Sequence, residues 1–144
     1  SYAVELMKRG ENAQAYNALT KLAAKYPDAD LYTNLAIINL KQKQYDEALG
    51  NIEKSISVNG NNAVSRNIYG LTLKNTGKLG QAESEYNKSI SIDPDYAAPY
   101  LNLAILYDVF LNSPKKSLPY YEKYKEISGK DIDKWLIELK RRIK

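Results

Sequence analysis

Glu53-Lys54-Ser55-Ile56-Ser57-Val58 and Asn87-Lys88-Ser89-Ile90-Ser91-Ile92 are near copies, set 34 residues apart. The register extends outward from them. Ala48 and Ala82 keep the same step, and so do Ile52 and Tyr86. Asn34-Leu35-Ala36, Ile68-Tyr69-Gly70 and Asn102-Leu103-Ala104 are related by two successive steps of 34 residues. A fixed period of this length marks stacked supersecondary units, none of which buries its apolar face alone.

Within a unit, apolar residues recur at helical spacing. Leu31, Leu35, Ile38 and Leu40 mark one amphipathic helix, and Leu49, Ile52, Ile56 and Val58 mark the next. The recurring alanines and serines let helix axes approach closely. Asn61-Asn62 and Asp95 are expected as N-caps. Ser113-Pro114 reads as a cap followed by proline at the first helical position. Pro119 is expected to kink its helix, and Gly60 and Gly129 suit positions just past a helix end. The pattern predicts helices over residues 2–9, 12–25, 29–42, 45–58, 63–76, 79–92, 97–111, 115–127 and 131–143.

These residues resemble the tetratricopeptide-repeat (TPR) family. Residues 29–62 supply Tyr32, Leu35-Ala36, the turn Lys43-Gln44-Tyr45, then Ala48, Ile52, Ser55 and Gly60. Residues 63–96 supply Tyr69-Gly70, the turn Gly77-Lys78-Leu79, then Ala82, Tyr86, Ser89 and Asp93-Pro94. Residues 97–128 supply Tyr100, Leu103-Ala104, Tyr107, Ser117 and Tyr121, with a turn one residue longer. There Tyr124 stands where a small residue is usual, and its ring is expected to loosen the packing or cover the end of the array. Residues 1–28 are similar to a repeat with a shortened first helix, carrying Ala3, Gly10, Ala15, Leu19 and Pro27. The resemblance implies an all-α fold: a right-handed superhelix, or α-solenoid, of about four helix-turn-helix repeats in a single domain over residues 1–144. The helix over 131–143 is expected as its cap. Ile132, Trp135, Leu136, Leu139 and Ile143 form the stripe that closes the core, and Asp133, Lys134, Glu138, Lys140 and Arg142 meet water.

The resemblance also implies a protein-interaction scaffold. The first helix of each pair lines a concave groove that takes a peptide or partner protein. The groove positions expected from the family pattern are Thr33, Asn34, Ile37 and Lys41; then Asn67, Leu71, Lys74 and Asn75; then Ala98, Leu101, Asn102, Ile105, Asp108 and Val109. Asparagine amides donate to and accept from a peptide backbone, and aliphatic neighbours shape side-chain pockets. The chaperone-binding branch of the family uses a lysine, asparagine and arginine clamp. Its positions fall on Thr33, Ile37, Ala98 and Asn102, so the clamp is absent in this register.

Composition removes several function classes. With no cysteine there is no disulfide, thiolate nucleophile or thiolate metal site, and with no histidine there is no Ser-His-Asp triad or imidazole zinc site. No nucleotide loop, metal box or nucleophile motif stands out, so neither an enzyme nor a cofactor is expected. Asp46-Glu47 and Glu83/Glu85 read as solvated helix charge. No apolar run is long enough to span a bilayer.

The net charge of +4 is concentrated at the C-terminal end, where residues 115–144 hold ten Lys/Arg against five Asp/Glu. That end, with thirteen tyrosines, motivates an alternative: an RNA-associated helical-repeat protein. Against it, Tyr32, Tyr69, Tyr86, Tyr100, Tyr107 and Tyr121 all fall on packing positions of the repeat, and the first 114 residues carry no basic stripe. The stretches 102–108, 118–124 and 135–141 are similar to bacterial envelope TPR proteins. This implies a role beside a pilus, secretion, motility or TonB-type system, in the periplasm, with the cytoplasm left open. Whether an export signal or lipid anchor precedes Ser1 is also open. Tyr2, Leu6 and Met7 form an apolar N-terminal edge, where another repeat or a second molecule is expected to stack.

Overall fold

Short polar side chains set where two of the helices begin. Asn62 Oδ1 accepts the Ser65 N–H at 3.0 Å, and Asp28 Oδ1 accepts the Asp30 N–H at 2.8 Å. Each satisfies a donor that the first turn of a helix leaves free. The computed structural model describes residues 2–144. Its helices are α1 (Tyr2–Lys8), α2 (Asn12–Lys25), α3 (Ala29–Lys41), α4 (Tyr45–Val58), α5 (Ala63–Asn75), α6 (Leu79–Ile92), α7 (Ala98–Ile105), α8 (Pro114–Ser128) and α9 (Asp133–Ile143). A π-helical turn, Leu106–Phe110, continues α7. No strand occurs among the described residues.

Consecutive helices pack in pairs, most extensively α3 on α4 and α5 on α6. The first helices of successive pairs also touch, α3 against α5 and α5 against α7. One hydrogen bond repeats along the stack. Ser55 Oγ donates to the Ala29 carbonyl at 2.9 Å, and Ser89 Oγ donates to the Ala63 carbonyl at 2.6 Å. Small side chains bring the second helix close enough for this bond. The matching place in the last pair is Tyr124, which is buried beside Ile132, Leu136 and Leu139. Of its two expected roles, the ring takes the second and covers the end of the array.

Among the glycines, the tightest approach lies between Gly70 on α5 and Tyr86 on α6. A Cβ at Gly70 would sit 2.5 Å from Tyr86 Cε1, and the ring itself is fully buried. The preceding repeat has Ala36 and Ile52 at the equivalent positions. There a smaller partner leaves room for a methyl group.

Each pair turns through one residue of positive φ: Gly10 (76°), Lys43 (58°), Gly77 (81°) and Asn112 (49°). The chain then bonds back to the helix it has left, as with Gln44 N–H to Asn39 O at 2.8 Å and Lys78 N–H to Leu73 O at 2.9 Å. From Lys43 to Gly77 is 34 residues, but from Gly77 to Asn112 is 35. The extra residue was expected in the turn. It is absorbed earlier, in the π turn, where the Leu111 N–H reaches five residues back to Leu106 O at 2.9 Å.

Several local expectations are corrected. Asp95 does not cap α7, which begins at Ala98 with proline in its first turn; the Asp95 N–H instead donates to Asp93 Oδ1. Ser113 occupies the cap position, but its hydroxyl donates to Leu111 O. α8 runs unbroken through Pro119 and stops at Gly129, whose φ is 69°. In α9, Ile132, Leu136 and Leu139 are buried, whereas Trp135 is 55% exposed and lies off the packed stripe. At the N-terminal edge Tyr2 is open, but Leu6 is buried in the first core cluster, and that narrows the edge.

Candidate functional site

Because α3, α5 and α7 lie side by side, one face of each repeats along the array at 34-residue steps. Ile37, Leu71 and Ile105 fall at equivalent positions, and all three are half-buried. They form an aliphatic line across three helices. Asn34 and Asn102 flank it, also half-buried, and Lys41 at the end of α3 is exposed. Leu101 and Ile105 lean partly into the cluster around Tyr100 and Tyr121, so their bases are core and their tips face out.

Two of the expected groove residues belong elsewhere. Thr33 and Asn67 are buried. Thr33 Oγ1 lies 2.6 Å from Ser55 Oγ and 3.0 Å from Ser65 Oγ. Asn67 Oδ1 accepts from Asn102 Nδ2 at 2.8 Å. One residue along a helix is a rotation of about 100°. That rotation carries these two side chains off the open face and into the seam between adjacent first helices.

Lys74 and Asp108 lie at the same repeat position, on α5 and the π turn, and both are half-buried. The Lys74 ammonium lies 5.1 Å from the centroid of the Phe110 ring, and burial holds its pKa below the usual lysine value. Asp108 is not free. Arg142 of α9 clasps it with two hydrogen bonds, of 3.0 and 3.1 Å, and the Tyr121 hydroxyl donates to it at 3.2 Å. Burial, reinforced by the Asp108 charge, pushes the Tyr121 phenol up to about 12. The end of the groove is therefore fastened to the terminal helix.

The remaining charges are more committed than the sequence suggests. Glu85 is buried and paired with Arg66 and Lys88, so it is not a solvated surface carboxylate, whereas Glu83 is half-buried. Within the basic end, Arg142, Lys125 and Lys123 are paired with Asp108, Asp133 and Glu126. Tyr86, Tyr100, Tyr107 and Tyr121 are buried, so those rings offer no stacking platform for bases. Among the described residues no cluster of His, Cys, Asp and Glu is placed to hold a metal, and no helix is long and apolar enough to cross a membrane.

The 34-residue geometry has a counterpart among known proteins. Residues 29–62 and 63–96 each match the family profile of the tetratricopeptide repeat. Residues 29–96 are a pair of tetratricopeptide repeats. A stretch of 88 residues is 30% identical to the TPR repeat-containing thioredoxin TTL4 of Arabidopsis thaliana, covering 61% of this chain and 13% of that protein's length. The TPR array is similar in fold to the crystal structure of MamA, with a TM-score of 0.77 at 22% identity, over 88% of this chain and 74% of that one. It is also similar to YrrB, described as a TPR protein with an unusual peptide-binding site, with a TM-score of 0.76 at 23% identity, over 90% and 67% of the two chains.

Proposed function

We propose that this TPR array is a non-catalytic scaffold that holds an extended segment of a partner protein along α3, α5 and α7. The aliphatic line Ile37–Leu71–Ile105 carries the proposal. Three equivalent side chains, each half-buried and set at one-repeat intervals, leave apolar tips open beyond the part that packs on the core. Asn34 and Asn102 beside the line supply amide groups for the segment's backbone. Lys41 and Lys74 add positive charge on α3 and α5. The peptide-binding site of YrrB supports the same use of the fold.

Selection of a random peptide library against the wild type and a Leu71→Asp variant tests this, once circular dichroism shows that the variant is folded. Peptides that bind the wild type and lose the variant are expected. Peptides that bind both equally would remove the groove from the site. The finer placement at a bacterial envelope rests on the C-terminal stretches named above, and fractionation of the source cell tests it. Self-association through the N-terminal edge is a separate proposal carried by the open Tyr2 ring. A sedimentation profile unaffected by Tyr2→Ser would dismiss it.

A further inference from the structure

One repeat departs from its neighbours at two positions that touch. Tyr32 and Tyr100 are equivalent, but between them the third repeat has Arg66. Where the second repeat has Asn51, the third has Glu85. Arg66 Nη1 donates to Glu85 Oε2 and Lys88 Nζ donates to Glu85 Oε1, both at 3.0 Å. Arg66 Nε donates to the Gly60 carbonyl at 2.9 Å. The Glu85 side chain is only 9% exposed and that of Arg66 only 18%. Removing such charges from water offsets most of their attraction, so an ion pair here stabilises the fold little more than a packed neutral pair. The second repeat has neutral residues at the same backbone positions, Tyr32 and Asn51, which line one recess. The charges therefore call for a reason other than folding.

The reason lies in what they face. A recess of about 510 Å³ opens between the α4–α5 loop and α6. Arg66, Lys88, Asn61, Ser84, Asn87 and Ser91 line it, and Glu85 does not. The carboxylate sits behind the two cations and holds them, while the wall itself carries no negative charge. The corresponding recess of the preceding repeat includes Glu53, and its Lys54 lies over the Tyr32 ring at 5.7 Å. The same fold feature is cationic in one repeat and balanced in the other. Gly60 adds an independent sign. Tyr26 and Pro94 hold its place in the neighbouring repeats, and a Cβ there would lie 3.0 Å from Arg66 Nη2. The bare glycine leaves room beside Arg66 Nη2, which makes no hydrogen bond among the described residues.

We propose that this recess is a second binding site, on the α6 side of α5, for an acidic side chain on an extended segment of a partner protein. Arg66 Nη2 and the Lys88 ammonium take the carboxylate. Two cations over one anion leave a single positive charge, which matches a carboxylate better than a doubly charged phosphate. Ser84, Asn87 and Ser91 run along one face of α6 and, with Asn61, offer donors and acceptors to the segment's backbone. The site does not depend on the groove.

Titration of the ¹⁵N-labelled chain tests it with three probes: the blocked peptide Gly-Glu-Asp-Gly, its Gly-Gln-Asn-Gly counterpart, and inorganic phosphate. Saturable amide shifts at Asn61, Ser84, Asn87 and Ser91 are expected with the acidic peptide, and weaker binding with the other two. The double variant Arg66→Tyr, Glu85→Asn installs the neutral pair of the preceding repeat and is expected to fold. It should weaken the acidic peptide by about tenfold or more, as loss of a charge-assisted hydrogen bond implies. Lys88→Gln, which leaves Arg66 on Glu85, should weaken it as well. No saturable shift, equal affinity in the double variant, or tighter binding of phosphate than of the peptide would each overturn the proposal.

Discussion

Gly70→Ala offers the sharpest test of how the repeats pack. The added Cβ would lie 2.5, 2.6 and 3.1 Å from three carbons of the Tyr86 ring. Carbon atoms rest at about 3.5–4.0 Å, so the ring must retreat by about 1 Å. It has no free space to enter, being fully buried against Leu73, Ala82 and Leu103. Overpacking of this kind costs about 1–3 kcal/mol, and so severe a contact belongs in the upper half of that range. Replacing a helical glycine with alanine returns about 0.5–1 kcal/mol. The expected net loss is about 1–2 kcal/mol, a drop of about 2–8 °C in melting temperature for a chain of this size. Urea unfolding followed by circular dichroism measures it. The double variant Gly70→Ala, Tyr86→Ile installs the Ala36 and Ile52 pair and should recover much of the loss, a coupling of about 1 kcal/mol or more. If Gly70→Ala alone proves as stable as the wild type, helix propensity outweighs the contact and the close approach of α5 and α6 is wrong.

Other expectations follow from the same structure. Lys43 holds a left-handed φ of 58° where equivalent turns use Gly10 and Gly77, so Lys43→Gly should stabilise by up to about 1 kcal/mol, read from the urea midpoint. Gly129→Ala, at φ 69°, should cost about 1 kcal/mol by the same steric rule. Burial raises the phenol pKa of Tyr86 and Tyr107 above the usual value, and that of Tyr121 to about 12. The unfolded chain therefore releases these protons first, and stability should be full below about pH 10 and fall as the pH rises toward 12. Tyr69 and Tyr96 are raised by burial as well, so the lowered pKa of Lys74 acts in the opposite sense as one group against five, and Tyr121→Phe should flatten the alkaline slope. Asp108→Asn should release Arg142, and faster amide exchange through α9 than in α6 is the expected sign.

The helix pairs were legible because their cues are local and repeated. Ser55 and Ser89, Ala48 and Ala82, and the turns at Lys43 and Gly77 state the same instruction twice. That Ile37, Leu71 and Ile105 share one stripe was legible for the same reason. Thr33 and Asn67 were misplaced because periodicity fixes which residues share a stripe more sharply than where the stripe's edge falls. Trp135 was misplaced on α9, where no further repeat exists to confirm the register. The Arg66–Glu85 pair gave a weaker signal. Its members lie 19 residues apart on two helices, and each alone resembles ordinary surface charge. What betrays it is comparison between repeats, where tyrosine gives way to arginine and asparagine to glutamate together.

The π turn at Leu106–Phe110 has a consequence for how such an array bears change. An added residue in an ordinary helix turns everything beyond it by about 100° and advances it by about 1.5 Å. Carried forward, that error would present the wrong side of α8 to α7 and leave Ser117 and Tyr121 facing water. Here a single widened coil takes up the surplus before the chain reaches Asn112, and the next helix starts in phase. The widened coil acts as a phase corrector. It also leaves a visible residue of the correction, three consecutive exposed apolar side chains, Val109, Phe110 and Leu111, pushed outward at one end of the line of first helices.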